Sequence, residues 1–436
     1  MKMAPTSYPV TAPYSEPLLP QLDVKNPYYT ETHYNLRRYV RDYVEKNIIP
    51  YAQEWEEAGQ VPEQVRLRHY QLGFGIVHPL TSPEDAANIA LPGGVPRGMW
   101  DTWCSLIVAD ELTRCGYVGV VWGLGGGNSI GAPPIARFGT PEQRKRWLPG
   151  VASGKIRFCL GITEPDAGSD VANITTTARR EGNYYIVDGA KKWITNGIWA
   201  DYCTAAVRTG GPGRKGVSVL VIPLNVKGVT RKRMHNSGVN ASGSTFLEFD
   251  DVRVPADHLI GTENEGFQII MSNFNPERLS LATAALRLAR VCVEDAFNYA
   301  VQRETFGAPL ITRQAIQSKI TKCGMLIEPA QSFLEQLVYI IETTKDRPNA
   351  VNIGGMTALL KVMSTRALEK SVREAQQILG GAGYNKGGKG ARVEQISRDV
   401  RVHVVGGGSE EIMMGLALQE ETKALKARAK AQAAKL

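Results

Sequence analysis

The chain changes from helix-forming to strand-forming sequence at the stretch LGITEPDAGSD, residues 160–170. Its small residues, its early proline and the hydroxyls of Thr163 and Ser169 predict a loop that lies flat against a planar ligand and hydrogen-bonds it. Strand patterns bounded by turn residues follow at Tyr184–Val187, Lys191–Thr195 (after a turn at Asp188-Gly189), Val217–Leu224, Ser244–Phe249 and Val252–Val254. This stretch therefore opens a β domain over residues 155–266.

Helical patterns flank the β domain on both sides. Before it, apolar residues recur at helical spacing over residues 34–59, and Pro50 predicts a kink or two helices there. Thr140-Pro141-Glu142 predicts a capped helix start. After it, long amphipathic helices are predicted over 267–307, 312–344 and 351–380, with a last one from Glu410. The fold class is α+β and multidomain, with helical domains at 34–154 and 267–422.

The two ends of the chain differ from its body. Six prolines within residues 1–33 predict an extended arm. Residues 423–436 form a basic tail without any acid. The tail ends in Ala434-Lys435-Leu436, which resembles the Ser-Lys-Leu peroxisomal address. A peroxisomal location is expected, and otherwise a cytoplasmic one.

Composition excludes several classes of function. With 436 residues, of which 43% are hydrophobic and 22% charged, the chain has an ordinary globular composition, and it contains no apolar stretch long enough for a membrane span. Most of the net charge of +8 lies in the basic tail, so nucleic-acid binding is not predicted. The six scattered cysteines and six histidines lack ligand spacing, which indicates free thiols and no protein-bound metal.

Two short matches to catalytic motifs favour structural roles. Gly127-Asn128-Ser129-Ile130-Gly131 fits the GxSxG of serine hydrolases, but the required strand before it is missing. Glycines that permit a close helix contact are the favoured interpretation. Gly383–Lys389 fits GxxxxGK, but Gly390 follows where a P-loop needs Ser or Thr, so a plain loop is expected.

Four blocks in a fixed order carry the resemblance to a known family. They are TEPDAGSD at 163–170, KWITNG at 192–197, RETFG at 303–307 and QILGGAGY at 377–384. Together they resemble the acyl-CoA dehydrogenase family of flavoproteins, over residues 34 to 422. The resemblance implies a middle β domain of barrel-like form, a C-terminal four-helix bundle, FAD, and a homodimer or homotetramer. It also implies oxidation of an acyl-CoA thioester to the trans-2-enoyl-CoA.

The resemblance also assigns contacts to the cofactor. Trp193 is expected to cover one face of the isoalloxazine, and Thr195 to lie at the flavin N5 edge. Ser409 and Glu411, at the start of the last helix, match FAD-contacting positions. The flavin or the thioester end of the substrate is expected to contact Leu160, Ile162, Thr163, Gly168 and Ser169. The FAD of a neighbouring subunit is expected to contact Arg303, Thr305, Phe306, Gln314, Gln377 and Gly381.

The general base is also placed by the resemblance. Many members carry it in a Tyr-Glu-Gly-Thr sequence before the last helix, where this chain has Gly407 at the Glu position. The isovaleryl- and long-chain branches take it instead from an E-R-L sequence, present here as Glu277-Arg278-Leu279. We expect Glu277 to remove the α-proton while the β-hydride passes to flavin N5. The alternatives are a plain first-turn acid at Glu277, and Glu410 or Glu411 as the base.

Three residues complete the expected substrate contacts. The N–H of Gly407 is expected to bind the thioester carbonyl and stabilise enolate-like charge. Arg278 is expected to steer a carboxylate or carbonyl, and Asn275 falls where some relatives hold an acid toward CoA. The electron acceptor stays open between an electron-transfer flavoprotein and oxygen. The rival functions are a family flavoenzyme with a non-CoA substrate and a DNA-associated flavoprotein, which the near-neutral body disfavours.

Overall fold

A computed structural model describes residues 10–22, 24–75, 82–346 and 351–433. Its α-helices are α1 (Leu18–Gln21), α2 (Glu31–Asn47), α3 (Ala52–Ala58), α4 (Glu63–Gln71), α5 (Thr102–Thr113), α6 (Val118–Gly131), α7 (Pro133–Phe138), α8 (Pro141–Ala152), α9 (Gly266–Gln302), α10 (Gln314–Thr344), α11 (Gly354–Leu379), α12 (Ala391–Val405) and α13 (Glu410–Ala433). Within the described ranges, none of these helices combines the length and the apolar character that a membrane crossing requires.

The strands fall between α8 and α9, apart from one short hairpin after α9. They are β1 (Phe158–Gly161), β2 (Thr177–Glu181), β3 (Tyr184–Ile194), β4 (Tyr202–Arg208), β5 (Val217–Pro223), β6 (Val229–Arg233), β7 (Thr245–Pro255), β8 (Leu259–Ile260), β9 (Glu304–Thr305) and β10 (Ala308–Pro309). The predicted order of helical, β and helical segments is therefore confirmed.

The chain packs into two compact units. The first comprises Met1–Asn47, Trp100–Tyr117 and Asn275–Leu436, and the second comprises Ile48–Met99 and Val118–Phe274. The N-terminal helical segment is divided between them, with α2 and α5 in the first unit and α3, α4 and α6–α8 in the second. Helix α9 begins in the second unit and continues through the first.

Local sequence signals account for several helix ends. Thr140 forms a capping box with Gln143, whose backbone N–H donates to Thr140 Oγ1 at 3.3 Å, and Pro141 occupies the first turn. Pro50 does divide the first helical stretch, because α2 ends at Asn47 and α3 begins at Ala52. Both predictions are confirmed.

The second unit is built on one mixed sheet. Its hydrogen-bonded order is β6-β7-β3-β2-β4-β5-β8, and β1 pairs with β4 in parallel. A buried apolar cluster joins this sheet to the helices before it, through Ile135, Trp147, Phe158 and Val219. This packing holds the end of β1, from which the LGITEPDAGSD loop leaves the sheet.

The predicted turn at Asp188-Gly189 is wrong, because β3 continues from Tyr184 to Ile194. Gly189, at φ +138°, lies at a register shift against β7, and a Cβ there would lie 2.7 Å from Thr176 Cα. An Asp-Gly pair fits a β-bulge as well as a turn. The strands predicted at 244–249 and 252–254 are likewise one strand, β7. The chain reverses instead at Gly182, between β2 and β3.

Within the described residues 10–22 and 24–33, the N-terminal arm is not extended, contrary to the prediction, because it contains turns and the short helix α1. Ser15 and Glu16 are buried, and the carbonyls of Tyr14 and Glu16 accept hydrogen bonds of 2.9 Å from Arg290 Nη1. The Glu16 carboxylate, which neutralises the buried guanidinium groups of Arg114 and Arg287, holds this segment in the first unit.

At the other end, α13 continues to Ala433, so the described part of the basic tail is helical. Ala434-Lys435-Leu436 lies outside the described residues, and the peroxisomal location stays a prediction.

Helix α11 is the central helix of the first unit's C-terminal part. It contacts α10, α12 and α13, and most of its length is buried. Its buried side chains include one lysine, Lys361, in the apolar run ALLKVM at residues 358–363. This lysine lies close to the loop that joins α12 to α13, as described below.

Candidate active site

A buried ion pair anchors the LGITEPDAGSD loop in the second unit. Lys191, on β3, donates from Nζ to Glu164 Oε1 at 2.7 Å and to the Ile162 carbonyl at 3.2 Å. The Glu164 carboxylate also accepts from the backbone N–H groups of Thr175 and Thr176, at 2.5 and 3.0 Å. One carboxylate therefore ties the loop both to β3 and to the segment that leads into β2.

The protonation of this pair is set by its partners. Burial alone would raise the pKa of Glu164, but Lys191 and the donated hydrogen bonds outweigh it and hold that pKa at about 2. Burial lowers the pKa of Lys191, and Glu164 partly offsets the shift. The Glu164 carboxylate is therefore ionised at neutral pH and keeps its hydrogen bonds to Thr175 and Thr176 there.

Trp193 presents an exposed ring beside this loop. It has the left-handed φ of +58° at a second register shift between β3 and β7, and half of its surface is exposed. The Lys192 ammonium lies 4.5 Å from the ring centroid. Asn196 fixes the following turn, since its Oδ1 accepts from the Gly127 N–H at 2.7 Å and its Nδ2 donates to the Ser242 carbonyl at 2.8 Å.

The polar groups around Trp193 fit a planar, hydrogen-bonding ligand. Within the described ranges, the hydroxyls of Thr163, Ser169 and Thr195 have no hydrogen-bond partner, and Gly168 faces open space. Ile162 is buried in the apolar cluster and Leu160 is packed against it, so their backbone rather than their side chains borders the loop surface. An aromatic face beside unpaired hydroxyls suits the isoalloxazine of a flavin.

Glu277 lies within α9 in the first unit, one residue after Pro276. A proline at this position removes the N–H that would bond to the carbonyl of Ser272. That carbonyl accepts a hydrogen bond from Arg137 Nη1 at 3.0 Å instead. The helix therefore continues through Pro276. The alternative reading of Glu277 as a first-turn acid is wrong, because α9 already begins at Gly266.

Glu277 is half-buried, and one oxygen of its carboxylate is buried without compensation. Its Oε2 is buried and accepts no hydrogen bond from the described residues. Burial raises the pKa of Glu277 to about 7, although the neighbouring Arg278 lowers it in part. A carboxylate that is half ionised near neutral pH is suited to accept and release a proton.

The loop at Gly406–Gly408 lies beside Arg278 in the same unit. Arg278 Nε donates to the Gly407 carbonyl at 2.9 Å, and Nη1 donates to Asn275 Oδ1 at 3.3 Å. Asn275 thus contacts Arg278, which the resemblance did not anticipate. The Gly407 N–H has no acceptor in the described part of the chain.

The competing carboxylates at the start of α13 are placed differently. Glu410 is paired with Arg366, whose Nε lies 3.0 Å from Oε1. Glu411 is exposed. Ser409 precedes α13, and its carbonyl accepts the first helical hydrogen bond, from the Met413 N–H at 2.9 Å. Among Glu277, Glu410 and Glu411, only Glu277 has a buried carboxylate oxygen without a partner in the described ranges.

The residues assigned to a neighbouring subunit lie on the surface of the first unit. Phe306, with φ +52° and 98% exposure, occupies the tip of the β9–β10 hairpin. Arg313 holds the hairpin by donating to the Thr305 carbonyl at 2.8 Å. The guanidinium of Arg303 has no partner among the described residues. The other exposed members are Gln314, at the start of α10, Gln377, near the end of α11, and Gly381.

The short motif matches are structural. The GxSxG match lies inside α6, where Ser129 Oγ donates to the Gly126 carbonyl at 2.9 Å. A Cβ at Gly131 would lie 2.7 Å from the Cys159 carbonyl oxygen, so glycine permits close packing of α6 on β1. That interpretation is confirmed. Gly383–Lys389 lies in turns between α11 and α12.

One cluster has metal-like spacing within the described ranges. Ligand atoms of His33, Asp101 and Cys104 lie within 4.8 Å of one another. Hydrogen bonds account for it: His33 Nδ1 contacts the Thr30 N–H at 2.9 Å, and Nε2 contacts the Asp101 carboxylate at 3.1 Å. Asp101 also caps α5 through the Cys104 N–H at 2.9 Å.

Sequence reasoning missed three cations that shape these sites, namely the buried Lys191 and Lys361 and the exposed Arg137. A lysine at an inward-facing strand position and another inside an apolar helical run are visible signals of unusual burial. Arg137 carried no such signal, because its partner carbonyl becomes available only through the proline four residues after Ser272.

Comparisons with known proteins agree with this fold. Family models for the N-terminal, middle and C-terminal domains of acyl-CoA dehydrogenase match residues 30–155, 159–252 and 264–420. A curated relative, acyl-CoA dehydrogenase AFT10-1 of Alternaria alternata, is 47% identical over 419 residues, covering 95% of this chain and 97% of the relative.

Solved structures show the same fold. A probable acyl CoA dehydrogenase from Mycobacterium abscessus superposes with a TM-score of 0.81 at 35% identity, covering 89% of this chain and 98% of that one. A glutaryl-CoA dehydrogenase from Mycobacterium smegmatis, in complex with FADH2, gives a TM-score of 0.76 at 26% identity, covering 89% and 95%. The chain therefore belongs to the acyl-CoA dehydrogenase family. It is a flavoprotein oxidoreductase of that class.

Proposed function

We propose that this protein oxidises an acyl-CoA thioester to the trans-2-enoyl-CoA, with FAD as cofactor and Glu277 as general base. The observation that carries the proposal is the half-buried Glu277, whose buried Oε2 accepts no hydrogen bond from the described residues and whose pKa is raised to about 7. Such a group accepts a proton near neutral pH without first losing a hydrogen bond.

The residues around Trp193 are suited to hold FAD, which when bound supplies the acceptor for the hydride of the β-carbon. Trp193 offers an exposed aromatic face, and the hydroxyls of Thr163, Ser169 and Thr195 offer unpaired donors. Ser409 and Glu411, at the N-terminus of α13, offer further polar contacts where the helix favours anionic groups. The groups around Trp193 would bind and orient the cofactor.

The chain's own part in the reaction is proton transfer and charge stabilisation. Glu277 takes the proton from the α-carbon onto its carboxylate. Negative charge then develops on the thioester oxygen, and the unpaired N–H of Gly407 would donate to that oxygen. Arg278 would orient the thioester end by holding the Gly407 carbonyl, and Asn275 supports Arg278.

We further propose that the protein is a homodimer or homotetramer. A nearly fully exposed Phe306 and an unpaired Arg303 at one surface are groups that a second copy's FAD would engage. Light scattering of the purified holoenzyme tests this. A monomer at micromolar concentration with full FAD content would contradict it.

The first test is anaerobic mixing of the FAD-loaded protein with acyl-CoA esters that include isovaleryl- and palmitoyl-CoA. Loss of the oxidised-flavin absorbance with one of them is expected. Recovery of the absorbance on admission of air would indicate oxygen as acceptor, whereas recovery only with an electron-transfer flavoprotein would indicate that partner.

A flavin that stays oxidised with every thioester would contradict the proposal. It would point to the rival reading of a non-CoA substrate. A free carboxylic acid of matching chain length serves as the control, because it lacks the thioester that acidifies the α-proton.

A further inference from the structure

The loop between α12 and α13 consists of three glycines, Gly406, Gly407 and Gly408. Gly407 and Gly408 have φ values of +67° and +109°. A backbone of consecutive glycines has more conformational freedom than any other sequence, so its shape must be imposed by contacts. An N–H in such a loop serves as a directed donor only if the peptides around it are held.

Two cations hold these peptides. Arg278 Nε donates to the Gly407 carbonyl at 2.9 Å. Lys361 Nζ donates to the Gly408 carbonyl at 2.8 Å and to the Val404 carbonyl at 2.5 Å. On the other side, the Gly406 N–H donates to the Val402 carbonyl at 2.8 Å. The peptide that carries the Gly407 N–H is thus flanked by held peptides.

The same cations make the loop electrically positive. Lys361 is fully buried and forms no ion pair with any described acid. Burial, and secondly Arg278, lowers its pKa to about 8, so it remains protonated at neutral pH. The acid that acts electrostatically on Lys361, Glu410, is bonded to Arg366. Burial lowers the pKa of His403 to about 4, so this neighbour is neutral.

We propose that Lys361 and Arg278 form a two-cation clamp that aims the Gly407 N–H and stabilises negative charge on the bound thioester. Lys361 is a positioning residue, because it acts through the loop. The inference rests on the proposed function. In this chain, where Gly406 and Gly407 stand at the Tyr and Glu positions of the Tyr-Glu-Gly-Thr sequence, the clamp supplies the rigidity that an oxyanion donor requires.

The test uses acetoacetyl-CoA, a β-keto thioester that ionises at its α-carbon. Its enolate absorption on the FAD-loaded enzyme reports the charge stabilisation without turnover. In K361M, the ratio of bound enolate to bound neutral thioester at pH 7 is expected to fall by up to roughly 10²-fold, the effect of losing one oxyanion donor, because the Gly407 N–H is no longer held toward the thioester oxygen. The limiting rate of flavin reduction by a substrate should fall similarly, while substrate affinity changes little.

The matched control is K370M on the same helix, where a partly exposed lysine pairs with Glu374. It should behave as the unmodified enzyme. If K361M does not accumulate as holoenzyme, R278M removes the other arm of the clamp and leaves Lys361 bonded. Equal enolate formation in the variant and the unmodified enzyme would overturn the clamp while leaving the proposed function intact. An unmodified enzyme that neither forms the enolate nor loses flavin colour with any thioester would overturn both.

Discussion

Glu277 owes its chemistry to its neighbours more than to its residue type. Pro276 has no N–H to donate to the Ser272 carbonyl, which accepts a hydrogen bond from Arg137 instead. Helix α9 therefore continues through Pro276. Arg278 directs its guanidinium to the Gly407 carbonyl and to Asn275. Oε2 of Glu277 is left buried with no donor among the described residues, which is the condition that raises a carboxylate pKa.

A direct prediction concerns the pH dependence of flavin reduction. The base must be deprotonated to accept the α-proton, and its pKa is raised to about 7. The limiting rate of flavin reduction should therefore rise with pH through about 7 in the unmodified protein. In E277Q the rate should fall by at least ~10²-fold and lose this rise, with FAD still bound. Stopped-flow absorbance over pH 5.5–9 measures both effects.

E265Q is the matched control, because Glu265 is exposed and lies just before α9. It should retain the rate and its pH profile. A fully active E277Q would show that another group takes the proton. Replacing Gly407 by Glu, which would place the acid on the loop between α12 and α13, is disfavoured. Gly407 has a positive φ, and a Cβ there would lie 3.0 Å from Leu281 Cδ1.

At the scale of elements, the close contact between α6 and β1 depends on glycines, which have no side chain to separate the two backbones. Helix α6 packs on β1 where Gly127 and Gly131 face the backbone of Phe158 and Cys159. Asn128 reinforces the contact, because its Oδ1 accepts from the Phe158 N–H at 2.5 Å. The strand that begins here leads into the loop proposed to hold FAD.

G131A should destabilise the protein by about 1–3 kcal/mol, because the added methyl group would overlap the Cys159 carbonyl. S129A, on the exposed side of the same helix, should change the free energy of unfolding by less than ~0.5 kcal/mol and leave flavin reduction intact. Urea unfolding and the anaerobic assay measure these quantities. A large loss of activity in S129A would revive the serine-nucleophile interpretation.

At the scale of the molecule, the first unit contains a buried cluster of charged side chains, to which the N-terminal arm contributes Glu16. Among the described residues, the carboxylates of Glu16, Asp110 and Glu111 meet four guanidinium groups, those of Arg37, Arg41, Arg114 and Arg287. Burial opposes ionisation of Glu16, but Arg287, Arg114 and Arg41 outweigh it and hold its pKa at about 2. The arm thus supplies charge that the folded unit requires.

E16Q should therefore destabilise the protein by about 3–5 kcal/mol, since it leaves buried guanidinium groups without a partner. Because the pKa of Glu16 is lowered from 4.5 to about 2, its contribution is fully present above pH 4.5 and is lost as pH falls toward 2. The free energy of unfolding should depend less on pH in E16Q over this range. Urea unfolding at several pH values measures it.

D42N provides the control, because Asp42 and Lys46 form a solvent-exposed pair on α2. Its effect should stay below ~1 kcal/mol. An E16Q protein as stable as the unmodified one would mean that the cluster tolerates the extra positive charge.

Signals within a few residues predicted the elements well. The Thr140 capping box, the break at Pro50 and the alternation of helical and strand-forming stretches all depend on local backbone and side-chain preferences. The bulge at Gly189 and the buried arm were mispredicted. Each depends on a partner far along the chain, Thr176 with β7 in one case and Arg290 in the other.

The amino-acid sequence alone established the order of the elements, the family and the residue types available for catalysis, because motifs and periodicities are written in short stretches. Folding decided which of those residues became chemically distinct. Burial produces three of these features: the raised pKa of Glu277, the contacts of Lys361 in the two-cation clamp, and the ion pair that anchors the LGITEPDAGSD loop. Burial is produced by segments distant in the chain, so no local pattern encodes it.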